Sequence, residues 1–196
     1  GGSLAFGPPQ LVANINAEKT AIGDLDQDGD LDIATSSVNG QRLSWLENNL
    51  SGWGVPWIEH VLESTGVVNT ASQQAVDVDS DGDLDLLFSC GYEHKIVLFE
   101  NLGAGSFGPV QTIFQDTVSS SRPWHLSAGD LDGDEDPDLA VVFLDGHRLS
   151  YFINDGFGGF SEERVVSNLF VGPKWTSSVD VTGDGKRDLL VADQVD

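Results

Sequence analysis

Within 196 residues the chain carries 32 acidic and 9 basic side chains, a net charge of −23. Such a surface repels phosphate backbones and anionic lipid, which argues against nucleic acid and against direct membrane insertion. No stretch approaches the roughly 18 apolar residues that a spanning helix needs. At 39% hydrophobic content the chain can still bury the core of one domain, 1–196. The single cysteine, Cys90, excludes an internal disulfide, and the lack of Met and of a leader points to a mature or excised portion of a precursor.

In chain order, residues 1–16 read as the outer strand of an incomplete blade, because Phe6, Gly7 and Pro8 return as Phe107, Gly108 and Pro109. Repeats follow at 17–69, 70–122 and 123–172, with a partial fourth at 173–196. Acidic loops beginning at Asp24, Asp77, Asp130 and Asp180 set this division. They lie 53, 53 and 50 residues apart, a step long enough to be a whole structural unit. In the second repeat, strands are predicted over 70–78 leading into the loop, 85–89 leaving it, 95–99 and 110–114, each bounded by Gly, Asn, Asp or Pro. No window carries a helical stripe.

Four short strands per repeat predict an all-β fold, a β-propeller-like array of about four blades. The last blade is incomplete because the chain is part of a longer propeller, or it is completed by the N-terminal strand or by a neighbouring chain. An open end of that kind invites head-to-tail assembly with copies of itself. Leu25, Val78, Leu131 and Val181 are expected to tuck under their loops. Ile33-Ala34, Leu86-Leu87, Leu139-Ala140 and Leu189-Leu190 are expected to lie in strands buried on both faces.

The first loop reads Asp-Leu-Asp-Gln-Asp-Gly-Asp-Leu-Asp from Asp24 to Asp32. Carboxylates this close repel: a like pair at ~4 Å costs roughly 1 kcal/mol in water and about 4 at an effective dielectric of ~20. Acidic oxygens at alternate positions, turned by glycine at the sixth, suit a hard cation with about six to eight oxygen ligands. Positions 1, 3 and 5 are expected to offer side-chain oxygens, position 7 a backbone carbonyl, and position 9 the last ligand. The candidate metal ligands are Asp24, Asp26, Asp28, Asp30 and Asp32; Asp77, Asp79, Asp81, Asp83 and Asp85; Asp130, Asp132, Asp134, Asp136 and Asp138; and Asp180, Thr182, Asp184, Lys186 and Asp188.

Calcium is expected, three to four ions at one per repeat, because magnesium demands a tighter octahedron. An EF-hand is excluded: position 12 is Thr35, Phe88, Val141 or Val191 where that loop needs Glu, and strands flank the run. The third loop has Glu135 in place of the glycine, a side chain at an expected positive φ. The fourth keeps only Asp180, Asp184 and Asp188. Weaker binding is expected at both.

The Asp-x-Asp-x-Asp-Gly-x-x-Asp pattern at 24–32 and 77–85, with Phe107, Gly108 and Pro109, resembles the FG-GAP/VCBS calcium-binding repeats of integrin α-chain propellers and secreted microbial propellers. The resemblance spans essentially the whole chain. It implies an extracellular or cell-surface propeller whose ions hold loops and catalyse nothing. Relatives serve in adhesion, in carbohydrate recognition and as non-catalytic modules of secreted polysaccharide-active enzymes.

No Ser/His/acid set or paired catalytic carboxylate stands clear of the acidic loops, so no enzyme is expected. His94 and His147 are repeat-equivalent, which points to a recurring turn role. Glycans are the alternative partner, with Trp53, Trp57, Tyr92, Trp124 and Trp175 as candidate sugar platforms. Trp45 and Tyr151 hold equivalent strand positions and are expected in the core. Asn49-Leu50-Ser51 is an N-glycosylation acceptor sequence.

Overall fold

The computed structural model describes residues 11–13, 17–37, 42–49, 57–63, 70–117 and 121–194. The N-terminal Phe6, Gly7 and Pro8 and the candidate Trp53 lie outside them. Every regular element among the described residues is a strand, as alternating β-branched and aromatic residues between turn formers require. The first sheet joins β1 (Ala17–Gly23), β2 (Asp32–Ser37), β3 (Arg42–Asn48) and β4 (Trp57–Glu63) in that order. The second joins β5 (Thr70–Val76), β6 (Asp85–Cys90), β7 (Lys95–Phe99) and β8 (Gln111–Gln115), within two residues of the predicted strands. The third joins β9 (Pro123–Gly129), β10 (Asp138–Phe143), β11 (Arg148–Phe152) and β12 (Arg164–Ser167). The fourth holds only β13 (Pro173–Val179) and β14 (Asp188–Asp193).

All pairings are antiparallel. The first strands line up side by side: β1 lies against β5, β5 against β9, and β9 against β13. The result is an open row of propeller blades.

The core lies in the seams between blades, because a strand alternates its side chains between two faces. On the second blade Leu86, Phe88, Cys90, Val97 and Phe99 face the first blade, packing with Leu25, Ala34, Leu43 and Trp45. Their neighbours Leu87, Ile96 and Leu98 face the third blade, packing with Val78, Leu126, Leu139, Val141, Phe143 and Phe152. Both faces of β6 and β10 are thus fully buried.

The row's end departs from that expectation. Leu190 is 40% exposed and Val181 60% exposed, because no further blade covers them among the described residues. Tyr151 is half-buried, unlike Trp45, because it faces the two-stranded fourth blade. His94 and His147 each close a four-residue hairpin turn at positive φ, donating their backbone N–H to Gly91 and Leu144.

Candidate metal centre

Each acidic loop connects the first two strands of a blade, so the β-ladder fixes both of its ends. Positions 4 and 6 must turn left-handed. Position 4 is Gln27, Ser80, Gly133 or Gly183, at φ 62, 62, 93 and 74, and position 6 is Gly29, Gly82, Glu135 or Gly185, at φ 93, 96, 79 and 85. A Cβ at any of these glycines would meet nothing within 4 Å, so glycine serves backbone conformation here and not space. The expectation for the third loop is corrected in part. Glu135 does sit at positive φ, but its glycine has moved to Gly133, so that loop carries one non-glycine turn residue, as loops one and two do.

Within the loops, carboxylates accept backbone N–H groups. Position 6 donates to position 1, as from Gly29 to Asp24 at 3.1 Å and Gly82 to Asp77 at 3.0 Å. Position 7 donates to position 5, as from Asp30 to Asp28 at 2.9 Å, Asp83 to Asp81 at 2.8 Å and Asp136 to Asp134 at 3.0 Å. These bonds curl the chain until positions 1, 3 and 9 converge.

Three groups result: Asp24, Asp26 and Asp32; Asp77, Asp79 and Asp85; and Asp130, Asp132 and Asp138. In each, one oxygen per residue lies within 4.8 Å of the others. Asp28, Asp81 and Asp134 at position 5, and Asp30, Asp83 and Asp136 at position 7, stand outside these groups. In the fourth loop Thr182 replaces the middle carboxylate, and among the described residues Asp180, Asp184 and Asp188 form no such group. Lys186 donates its N–H to Asp184 at 2.9 Å.

A metal ion fits the first two groups: Asp24 Oδ1, Asp77 Oδ1 and Asp79 Oδ1 are buried without a hydrogen-bond partner, and a cation satisfies a buried carboxylate oxygen that has no donor. All the side-chain donors are hard oxygens. In loops three and four the same oxygen is already engaged: Gly133 donates to Asp130 Oδ1 at 2.7 Å, and Gly183 to Asp180 Oδ1 at 2.6 Å. The extra glycine at position 4 lets that N–H turn inward.

The electrostatics agree. Burial, then the carboxylates at positions 3 and 5, push Asp85 up to about 6 against two opposing backbone hydrogen bonds. Burial raises Asp26, Asp32, Asp79, Asp132 and Asp138 in the same direction, with neighbouring carboxylates adding to it. Asp180 moves the other way, held below the usual carboxylate range chiefly by the Gly185 N–H.

The position-9 aspartate joins the loop to its blade. Its Oδ2 accepts the N–H of position 2, from Leu25 to Asp32, Val78 to Asp85 and Leu131 to Asp138, each at 2.8 Å. Its Oδ1 accepts the N–H of an asparagine that ends the third strand or follows it by two residues, from Asn48, Asn101 or Asn154, again at 2.8 Å. The asparagine amide then crosses the seam. Asn101 Nδ2 donates to the Leu25 carbonyl at 2.8 Å, and Asn154 Nδ2 to the Val78 carbonyl at 2.7 Å. Sequence reasoning missed this clamp, although the asparagine that ends each Leu43–Asn48 type of segment was its visible signal.

The sugar candidates are scattered. Tyr92 is 61% exposed and Trp175 44%; Trp57 and Trp124 are half-buried. Among the described candidates only Tyr92 and Trp124 are brought together, by Arg122, whose guanidinium lies 5.5 Å and 5.9 Å from the two ring centres. Asp145 holds that guanidinium through two hydrogen bonds of 2.5 and 2.7 Å. Asn49 follows β3 and is half-buried; Leu50 and Ser51 of its acceptor sequence lie outside the described residues.

Comparison with known proteins agrees with this fold. The chain covers 87% of its length on the structure of an Agrocybe aegerita lectin that recognises non-reducing terminal N-acetylglucosamine, at 21% identity and a TM-score of 0.62. It covers 95% of its length on a crystal structure of a protein from Lactobacillus plantarum, at 12% identity and a TM-score of 0.60. It spans 45% and 58% of those two chains, and at such identities the likeness is one of fold. No curated protein matches the chain. The model of the FG-GAP-like repeat matches residues 24–88 and again 77–141, more than half the sequence and three successive acidic loops, and the chain therefore belongs to the FG-GAP-like repeat family.

Proposed function

We propose that this chain is a calcium-binding structural or adhesive module that works outside the cell, with ions that stiffen the seams between blades and take no part in catalysis. The observation that carries the reading is the set of buried, partnerless oxygens on Asp24, Asp77 and Asp79, each within a three-carboxylate group. Asp24, Asp26 and Asp32 hold one ion, Asp77, Asp79 and Asp85 a second, and Asp130, Asp132 and Asp138 a third. A bound cation cancels the repulsion within each loop and locks the position-2 residue beneath it. Through the asparagine clamp that order passes to the next blade. Attachment then uses the incomplete fourth blade, and head-to-tail packing of copies is its simplest form.

Isothermal titration with calcium after exhaustive chelation tests the reading. Two strong sites and one weaker are expected, and no heat would refute it. Electron microscopy with and without chelator tests the assembly, and dispersed particles in both conditions would remove it.

A second reading is glycan recognition. It is favoured by the Tyr92, Arg122 and Trp124 cluster, where an exposed aromatic face adjoins a pinned guanidinium, and by the fold shared with a sugar-binding lectin. A glycan array in calcium tests it, and an empty array removes it.

A further inference from the structure

We infer, on the metal reading of the loops, that the first two acidic loops take up calcium as a cooperative pair, with Gln27 and the glycine turn 103–105 as the positioning residues that couple them. Coupling between two sites needs a physical connection whose arrangement both of them bias. The first and second loops share such a connection twice over.

The direct link runs from side chain to backbone. Gln27 follows the ligand Asp26, and its Nε2 donates to the Gly82 carbonyl of the second loop at 3.0 Å. The Gly82 N–H in turn donates to the ligand Asp77, also at 3.0 Å. One glycine thus joins Asp77 to the residue beside Asp26. Ser80 and Gly133 hold the place of Gln27 in the next two loops, side chains too short for that reach. Below the link the second loop also packs on the entry to the first: a methyl at Gly23, the residue before Asp24, would come within 2.5 Å of Leu84 Cδ1.

The turn 103–105 belongs to the second blade but lies between both loops. A methyl at Gly105 would stand 3.3 Å from Asp26 Cβ and 2.5 Å from Trp45 Cζ2, and one at Gly103 would stand 3.5 Å from Asp83 Oδ2. Both glycines hold positive φ, 68 and 99, which lets bare backbone come this close. The turn moves as a unit. Leu102 donates its N–H to the Ser106 carbonyl at 2.8 Å and Ser106 to the Gly103 carbonyl at 3.1 Å, while Asn101 Oδ1 accepts the Gly103 N–H at 3.1 Å. An ion that draws Asp26 inward therefore sets Gln27 and the turn, and these set Gly82 and Asp83. The second ion then meets a loop already shaped for it, which lowers the cost of ordering that loop. By linkage the second site helps the first by the same factor.

The test is isothermal titration with calcium on Asp132→Asn, which silences the third site and leaves the pair. A cooperative isotherm is expected. Adding Asp77→Asn, which empties the second site, should weaken the first by about fivefold or more. Charge alone predicts the reverse, because the variant removes one negative charge where a bound ion brings two positive ones, so the emptied loop stays the more negative. Gln27→Ala changes an exposed side chain and should weaken the first site only while the second can fill, by about twofold or more, the share of one hydrogen bond. The cycle of Gln27→Ala with Asp77→Asn isolates that share. A purely local role for Gln27 would weaken the first site equally in both backgrounds, and this outcome overturns the proposal. So does a non-cooperative isotherm, or a first site indifferent to Asp77→Asn. Absence of calcium heat in every protein, the unsubstituted chain included, would instead bring down the metal reading and the proposal with it.

Discussion

Asn101 stands two residues beyond one blade's third strand, yet its amide lies 2.8 Å from the carbonyl of Leu25, inside the acidic loop of the blade before. The same side chain reaches Leu84 O in its own loop at 3.2 Å. A single asparagine thereby holds two acidic loops at a fixed distance. Asn154 repeats the arrangement with Val78 and Pro137.

Asn101→Ala should lower stability by about 1–3 kcal/mol, because it leaves buried carbonyls without a donor. Asn48 reaches only Leu31 O among the described bonds, so Asn48→Ala should cost less. Urea denaturation of both variants in saturating calcium gives the comparison, and equal losses would remove the cross-blade role.

Removing calcium should lower the melting temperature steeply, since a site filled at ~100 times its dissociation constant contributes about 2.7 kcal/mol. Asp77→Asn should abolish one site's share of that shift. Asp180→Asn should change it little, because Asp180 already accepts three backbone N–H groups. Calorimetry of the variants in calcium and in chelator separates the two.

The turn at positions 4 and 6 yields a pair of opposite predictions. Glu135→Gly should stabilise the third loop by about 0.5–1 kcal/mol by relieving a side chain at φ 79. Gly133→Ala should destabilise it by about 1 kcal/mol although space is open there, because the penalty lies in φ 93. Thermal melts of both proteins in calcium check the signs.

Acidity should act in opposite senses on the metal-free and metal-filled forms. In the metal-free protein Asp85 rises from its ordinary 3.8 to about 6, so its stabilising share is full below the ordinary value and lost as pH climbs through 6. The chelated protein should therefore gain stability between pH 7 and pH 5. Calcium competes with the same proton, so the filled form should lose stability over that range. His125, whose pKa burial lowers, opposes the first effect, and an Asp85→Asn comparison isolates the carboxylate. Melts at both pH values, with and without calcium, decide.

The acidic loops, their step, the four-strand blades and the both-face burial of β6 and β10 were legible in the chain because each rests on local periodicity, which residue order records directly. The glycine at position 6 was legible too, but its exchange between Gly133 and Glu135 was not, since φ at position 4 emerges only when the loop closes. Tertiary structure alone decided which carboxylates meet: Asp24, Asp26 and Asp32 converge while Asp28 turns to the Asp30 N–H. It alone decided that Asn101 serves the blade before its own. The physical reason is distance along the chain, for a bond from residue 101 to residue 25 leaves no local trace until two sheets have packed.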